Sequence, residues 1–504
     1  MKINFSLAQD GNKTFTANGI FYHSKYSPAK EAERFSNTIK QQLPADFLAK
    51  LILIIEPGID YCSNLIKKCF TDSKIAAIRL FTDYKKKEFN SSFDYDIPYN
   101  AGKGFSQLLI DCFGEELLLA SAIFIWPSAK NIFSTQIQQL LTDYKSALEE
   151  SKTLLVTRQF FEKKWLINSC SFINYSKKLV LPKINEKQNI VITASGPSLE
   201  PCIDILKKYK TRFLLICLSS AVPVLLHNQI IPDFILSTDG GFWAGQHLKT
   251  LKNFCNIPVA APSEAFIPKT ILASNPIIPL KYKDSGSFIS NTILEKAGIN
   301  GLDAVRNPTV SGTALFLGLS FNPKNLFFCG LDLAASNGFA HTNPNELEIN
   351  NSLNDNRINA KNNRITRACF SSDSLKLYEN WFACFENKGQ IVKRVIESNY
   401  KKNELGNIPD ISIKDFETFM SSESEQNNQI KFQNQTYQST GKAAIFKFLL
   451  DSLSDSAWQK QLFPADFISM QNSNNEASIQ RLNQKLEKLK NKIRTFILDG
   501  NTDL

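Results

Sequence analysis

Between about residues 185 and 405 the chain repeats one pattern: a short, continuous apolar run, often followed by a helical stretch, then another run. The runs are "NIVITA", "RFLLICLSS", "DFILSTD", "IPVAAPS", "NPIIPLKY" and "NLFFCGLDL". Most of them do not alternate apolar with polar positions, so both faces of each strand need cover, as in a parallel sheet flanked by helices. Strands that alternate with helices argue for a doubly wound α/β sheet, whose ligands collect at the carboxyl ends of the strands. The loops after those strands are where function is expected.

Two regions flank this one. At 504 residues the chain is long enough for about three domains. Residues 1–165 carry the runs "AKLILII", "KIAAIRLF" and "LLLASAIFIW" and the helical pattern "IFSTQIQQLLTDYKSALEESKTLL", which together read as an α/β N-terminal domain. A helix is expected from Pro28, with Glu31 and Glu33 near its positive end. Residues 406–504 read as a helical C-terminal domain. A polar stretch, "SSESEQNNQIKFQNQTYQST", is expected to separate its helical tail from the rest. In that tail Ile479, Leu482, Leu486, Leu489, Ile493 and Phe496 form a seam of about two and a half heptads. A seam this short is expected to dock on the chain's own body, with a partner helix as the alternative.

The formal net charge is +10, which favours anionic ligands. Lys and Arg are spread along the chain, with local clusters at Lys85-Lys86-Lys87 and Lys401-Lys402, and are not gathered into the stripe of a nucleic-acid reader. The ten cysteines include no C-x-x-C pair, which argues against zinc ribbons and redox dithiols and fits a reducing cytoplasm. The first residues hold no apolar core of a secretory leader. The longest apolar stretches, around Leu117 to Trp126, fall short of the roughly 20 residues that cross a bilayer. A cytoplasmic chain without a membrane span is expected.

Four places could carry chemistry. In "VITASGPSLEPCIDIL" a strand end leads through Ser195-Gly196-Pro197 to Ser198, whose hydroxyl can cap the next helix while first-turn amides face an anion. The same residues also suit a plain strand-to-helix turn. In "RNPTVSGTALFLGLSF" Thr309, Ser311, Gly312 and Thr313 open an apolar helix as a second anion cradle, where Gly312 would admit a ligand to the backbone; simple capping is the alternative. Asp239 and Asp332 end strands, where a carboxylate holds a ribose, a metal ion or an acceptor hydroxyl, or merely starts a loop. His341, in a polar loop nine residues beyond Asp332, could take a proton near neutral pH. His227, in the apolar "PVLLHNQI", reads as structural. "STGKAAIF" lacks the upstream glycine and following hydroxyl of a Walker loop. There is no G-x-S-x-G elbow or H-E-x-x-H helix, and the second region holds no D-x-D pair. Catalysis without a tightly bound metal is expected.

In their order, "ASGPSL", "DFILSTDGG", "TVSGTA", "NLFFCGLDL" and the histidine that follows resemble the motility-associated-factor (Maf) family of flagellin glycosyltransferases, and "HSKYSPAKEAER" resembles that family's N-terminal domain. The resemblance implies a Rossmann-like central domain of the MptE-like type, related to bacterial sialyltransferases that use CMP-activated sugars. It implies that Ser195, Gly196, Pro197, Ser198 and Asp239 hold the nucleotide and that Ser311, Gly312 and Thr313 contact its phosphate. His341 would be the general base, and Asp332 is grouped with it as catalytic. Related turns read G-x-G-P-S-L, whereas this chain has Ala194 at the first glycine. The implied reaction moves a nonulosonic acid, of pseudaminic or legionaminic type, from its CMP donor to Ser or Thr of flagellin, with no cofactor beyond the activated sugar. Two alternatives stand beside it. One is a pterin pyrophosphokinase using ATP and magnesium held by Asp239 and Asp332; the other is a non-catalytic flagellin-binding protein.

Overall fold

A computed structural model describes residues 3–44, 47, 49–81, 89, 92–99, 104–184, 187–283, 287–336, 339–358, 360, 373–423, 430–435, 441–467 and 476–500. Lys85, Lys86, Lys87 and Cys369 lie outside the described residues. The chain forms two compact units, Met1–Arg158 and Gln159–Leu504.

In the first unit β1 (Ile3–Leu7), β2 (Lys13–Ala17) and β3 (Ile20–Phe21) form a small antiparallel sheet. A parallel sheet follows, from β4 (Leu51–Ile55), β5 (Lys74–Arg79), β6 (Tyr95–Pro98) and β7 (Ser121–Ile125), in the order β6-β5-β4-β7. Every residue of β4 is buried, as its unbroken "LILII" requires. The expected helix is Pro28–Gln42, with Ser27 as its cap accepting from the Lys30 amide. The run "LLLASAIFIW" divides: Glu115–Leu119 is helical and only Ser121–Ile125 is strand. Glu115 and Glu116 both pair with Arg158, which favours the helical turn.

The second unit is built on one large sheet. Its strands are β8 (Lys178–Lys183), β9 (Ile190–Thr193), β10 (Leu214–Leu218), β11 (Phe234–Leu236), β12 (Val259–Pro262), β13 (Pro276–Tyr282), β14 (Leu302–Ala304), β15 (Leu326–Cys329), β16 (Val392–Val395), β17 (Asp410–Ile411) and β18 (Lys431–Gln435). Their order is β17-β16-β15-β9-β10-β11-β12-β13-β8-β18, with β14 also on β13. All pairs are parallel except β18 with β8. The six apolar runs became β9 to β13 and β15, a Rossmann-like doubly wound sheet. From β9 the chain advances to β13 on one side, while β15, β16 and β17 lie on the other.

The core splits by face. Val191, Leu215, Cys217, Ile235 and Phe327 point one way, into a cluster with Leu199, Leu206 and the C-terminal helices. Ile190, Ile192, Leu214, Ile216 and Phe328 point the other way, under Ala314, Leu315 and Leu317 of the helix Val310–Ser320. The polar stretch expected to act as a separator contains β18, which pairs from Lys431↔Lys183 to Gln435↔Leu179. It is a mostly exposed edge strand held by backbone bonds, so it needs no apolar pattern. Of the tail seam, Leu482, Leu486, Leu489, Ile493 and Phe496 are buried in the first cluster, whereas Ile479 is 40% exposed. Among the described residues no helix is long and apolar enough to cross a membrane.

Candidate functional site

β9 pairs with β10 on one side and β15 on the other, so the connections leaving the carboxyl ends of β9 and β15 diverge. That divergence is the topological switch point at which such sheets place ligands. Two turns border it, Ser195–Ser198 after β9 and Gly330–Asp332 after β15, and they bond to each other. The Gly196 amide donates to Gly330 O at 2.8 Å. The Ser198 amide donates to Asp332 Oδ2 at 2.9 Å, and the Ser198 hydroxyl donates to Oδ1. A Cβ on Gly196 would fall 2.6 Å from Gly330 O and 2.7 Å from Asp332 Cγ. This close approach is what requires glycine there.

These contacts correct one expectation. The Ser198 hydroxyl does not cap a first-turn amide; the segment that follows, Pro197–Cys202, is a 3-10 helix without a side-chain cap. The anion that the Ser198 amide meets is the chain's own Asp332 carboxylate. Burial pushes Asp332 up from the ordinary carboxylate range, and the two Ser198 bonds and the Arg394 charge offset part of that.

His341 lies beside this junction. Its loop is fixed by the Thr342 amide donating to Ser195 O and the Thr342 hydroxyl donating to Gly196 O, each at 2.7 Å. Asn345 Nδ2 donates to Ser220 O at 3.0 Å, and the Ser195 hydroxyl donates to that of Ser220 at 2.9 Å. The loops after β9, β10 and β15 and the His341 segment are therefore one bonded group. His341 Nδ1 is 3.3 Å from Glu348 Oε1. The same oxygen accepts the amides of Ala340 and His341 at 3.0 and 3.1 Å. Burial alone would raise Glu348, but the bonds and charge of His341 and the two amides hold it below the usual range. Sequence reasoning missed Glu348. The available signal was Asn345, the cap of the helix Glu346–Leu353 that carries it.

The other expected residues lie around this group. In a parallel crossover the connecting helix starts at the carboxyl end of the sheet, so the turn Thr309–Thr313 shares that end with Ser195. Thr309 caps the helix, accepting from the Ser311 amide at 3.3 Å, and the Thr313 hydroxyl donates to Val305 O at 3.1 Å. Gly312 does not face open space. A Cβ there would meet Asn307 Cβ at 2.9 Å and the Trp381 ring at 3.0 Å, so the indole fills the room expected to admit a ligand. Asp239 follows β11, two strands from β9. Its Oδ1 accepts the Gly241 amide at 2.8 Å, and its charge adds to the burial that raises Tyr378. The same loop is held from beneath: Asn168 Nδ2 donates to Gly240 O at 3.3 Å and Glu264 O at 2.8 Å. Glu264 in turn pairs at 2.7 Å with Arg306, whose guanidinium lies over Trp165 and Tyr282. His227 is not a core residue. It is exposed at the end of the helix Val222–His227 and lines a cleft of about 280 Å³.

Residues 163–338 match the family model described as 6-hydroxymethylpterin diphosphokinase MptE-like. An uncharacterized protein of Treponema pallidum (strain Nichols) is 26% identical over 318 residues, 62% of this chain and 68% of that one. A second from the same organism is 26% identical over 112 residues, 22% of this chain and 53% of its own. The solved structure of a MAf glycosyltransferase from Magnetospirillum magneticum AMB-1 superposes with a TM-score of 0.52 at 12% identity, covering 99% of this chain and 91% of that one. The chain thus carries an MptE-like domain and, over almost its whole length, has the fold of a Maf glycosyltransferase.

Proposed function

We propose that this protein is a glycosyltransferase that moves a nonulosonic acid, of pseudaminic or legionaminic type, from a CMP donor to Ser or Thr of flagellin. The observation that carries this reading is the meeting, at the switch point of a Maf-like fold, of the Ser195–Ser198 turn with the loop that presents His341. The CMP moiety would lie at the carboxyl end of the sheet, between the Ser195 turn, the Asp239 loop and the Thr309–Thr313 turn. Asp332 holds the Ser198 turn in place and is thereby a positioning residue.

In the reaction the acceptor Oγ forms a bond to the anomeric carbon as the bond from that carbon to the CMP phosphate oxygen breaks. CMP departs with the electron pair. The acceptor proton passes to His341, whose Nδ1 is paired with Glu348, so Nε2 is the receiving nitrogen. The net charge of +10 favours the anionic donor.

Intact-mass measurement of flagellin from a strain lacking this protein tests the reading. A loss of one or more nonulosonic acid masses is expected, restored by the wild-type chain but not by His341→Ala. Flagellin of unchanged mass would remove the transferase reading. The family description favours one second reading, a pterin pyrophosphokinase. Magnesium-dependent AMP release from ATP and hydroxymethylpterin by the purified chain would establish it instead.

A further inference from the structure

The His341 loop could reach the crevice without help from Glu348, since Thr342 and Asn345 already pin it to Ser195, Gly196 and Ser220. Yet a glutamate side chain that is almost fully buried, 2% exposed, aims one oxygen at the His341 ring. Burying a carboxylate is costly unless it is paired, and a neutral side chain could have closed the loop. The imidazole is the better-exposed partner, with 24% of its side chain open. The arrangement is that of a base oriented by a buried acid.

We infer that Glu348 is a positioning residue for His341, accepting a hydrogen bond from Nδ1–H so that the neutral ring presents a bare Nε2 to the acceptor hydroxyl. This rests on the transferase reading for its catalytic consequence, but the tautomer it requires does not. The alternative role is a loop staple, with Glu348 serving only the amides of Ala340 and His341.

Among the described residues, two titratable groups on neighbouring helices act on His341. One is Glu348 on Glu346–Leu353; the other is His247, at the end of the helix Phe242–His247. His247 is pushed down to about 4, first by burial and then by the charge of His341. It therefore stays neutral near pH 7. Removing the Glu348 charge withdraws the one anion of this pair and lowers the affinity of His341 for its proton.

The test uses the full chain with purified flagellin, CMP-pseudaminic and CMP-legionaminic acid as donors, and CMP release as the readout from pH 5 to 9. For Glu348→Gln the acid limb of kcat is expected to move down by about one pH unit and the plateau to fall about tenfold, with the donor KM unchanged. Glu348→Asp should restore the wild-type limb in part. A Glu348→Gln chain with the wild-type limb and plateau would reduce Glu348 to a staple and overturn the proposal. If that variant does not fold, imidazole 15N NMR of the wild-type chain decides. There are four histidines, and His341→Gln assigns the signal. Nδ1–H with a bare Nε2 is expected; Nε2–H overturns the proposal. A wild-type chain that has the Nδ1–H tautomer and transfers no sugar would leave the pairing standing and remove the transferase.

Discussion

Asp332 is fixed by a contact that spans far more sequence than any motif. The Ser198–Asp332 bond joins residues 134 apart, so no local spacing could show that the amide awaiting an anion already has one. What local patterning did show was position: Ser195, Asp332 and His341 all follow apolar runs that became strands. His247 went unread for the opposite reason, because its consequence is thermodynamic. It is 8% exposed and its Nδ1 has no hydrogen-bond partner, so the charged form is disfavoured in the folded state. The unfolded histidine binds its proton near 6.5 and the folded one only near 4. Between those values the unfolded state holds more protons, so stability falls as the pH drops from 6.5 towards 4, by about 3 kcal/mol in all. Urea unfolding at pH 7.5 and pH 5 should show His247→Gln losing much less stability than wild type on acidification. Equal losses would mean that His247 is free to charge in the fold.

At the scale of elements, the six continuous runs were legible because a strand buried on both faces must be apolar throughout. β16 was not, because its sequence "VKRV" puts Arg394 in the interior, 1% exposed. That arginine reaches Asp410 on the neighbouring β17 through Nε at 2.6 Å, and through Nη1 it reaches Leu331 O at 3.1 Å and Asn403 O at 2.8 Å. It ties an edge strand to the loop that carries Asp332. The first unit repeats the device, with Arg79 of β5 on Asp96 of β6 at 2.6 Å and on Gly58 O at 2.9 Å. In both sheets a buried guanidinium satisfies loop carbonyls that the strand ladder leaves over. Arg394→Met should cost on the order of 3 kcal/mol, since it takes the donor from two carbonyls in a partly buried setting and leaves Asp410 without the guanidinium. Lys402→Ala removes only a more exposed partner of the same Asp410 and should cost less than about 1 kcal/mol. Guanidinium midpoints for the two variants check the contrast; similar shifts would mean that Arg394 holds nothing that Lys402 does not.

For the molecule as a whole, the apolar spacing of the tail was legible from sequence, but the surface it covers was not, since periodicity gives a face and says nothing about its partner. The structure supplies the partner. Ile445, Phe446 and Leu449 of the helix Lys442–Ser452 pack with Leu482, Leu486, Leu489, Ile493 and Phe496 of the helix Glu476–Gly500, and Phe446 stacks on Phe496 at 5.9 Å. Both helices belong to the cluster that also holds Val191, Leu215 and Ile235 of the sheet, on the face opposite the helix Val310–Ser320. Eight side chains buried at about 1.5–3 kcal/mol each are comparable with, or exceed, the whole stability of a domain, about 5–15 kcal/mol. A chain ending at residue 441 is therefore expected to lose the cooperative unfolding of the second unit and to expose enough apolar surface to bind a hydrophobic dye at 25 °C. Leu486→Ala, a single cavity in the same layer, should instead lower stability by about 2–5 kcal/mol and leave the transition cooperative. Calorimetry separates the two outcomes. A 441-residue chain that melts like the full one would show that the second unit holds without the two C-terminal helices.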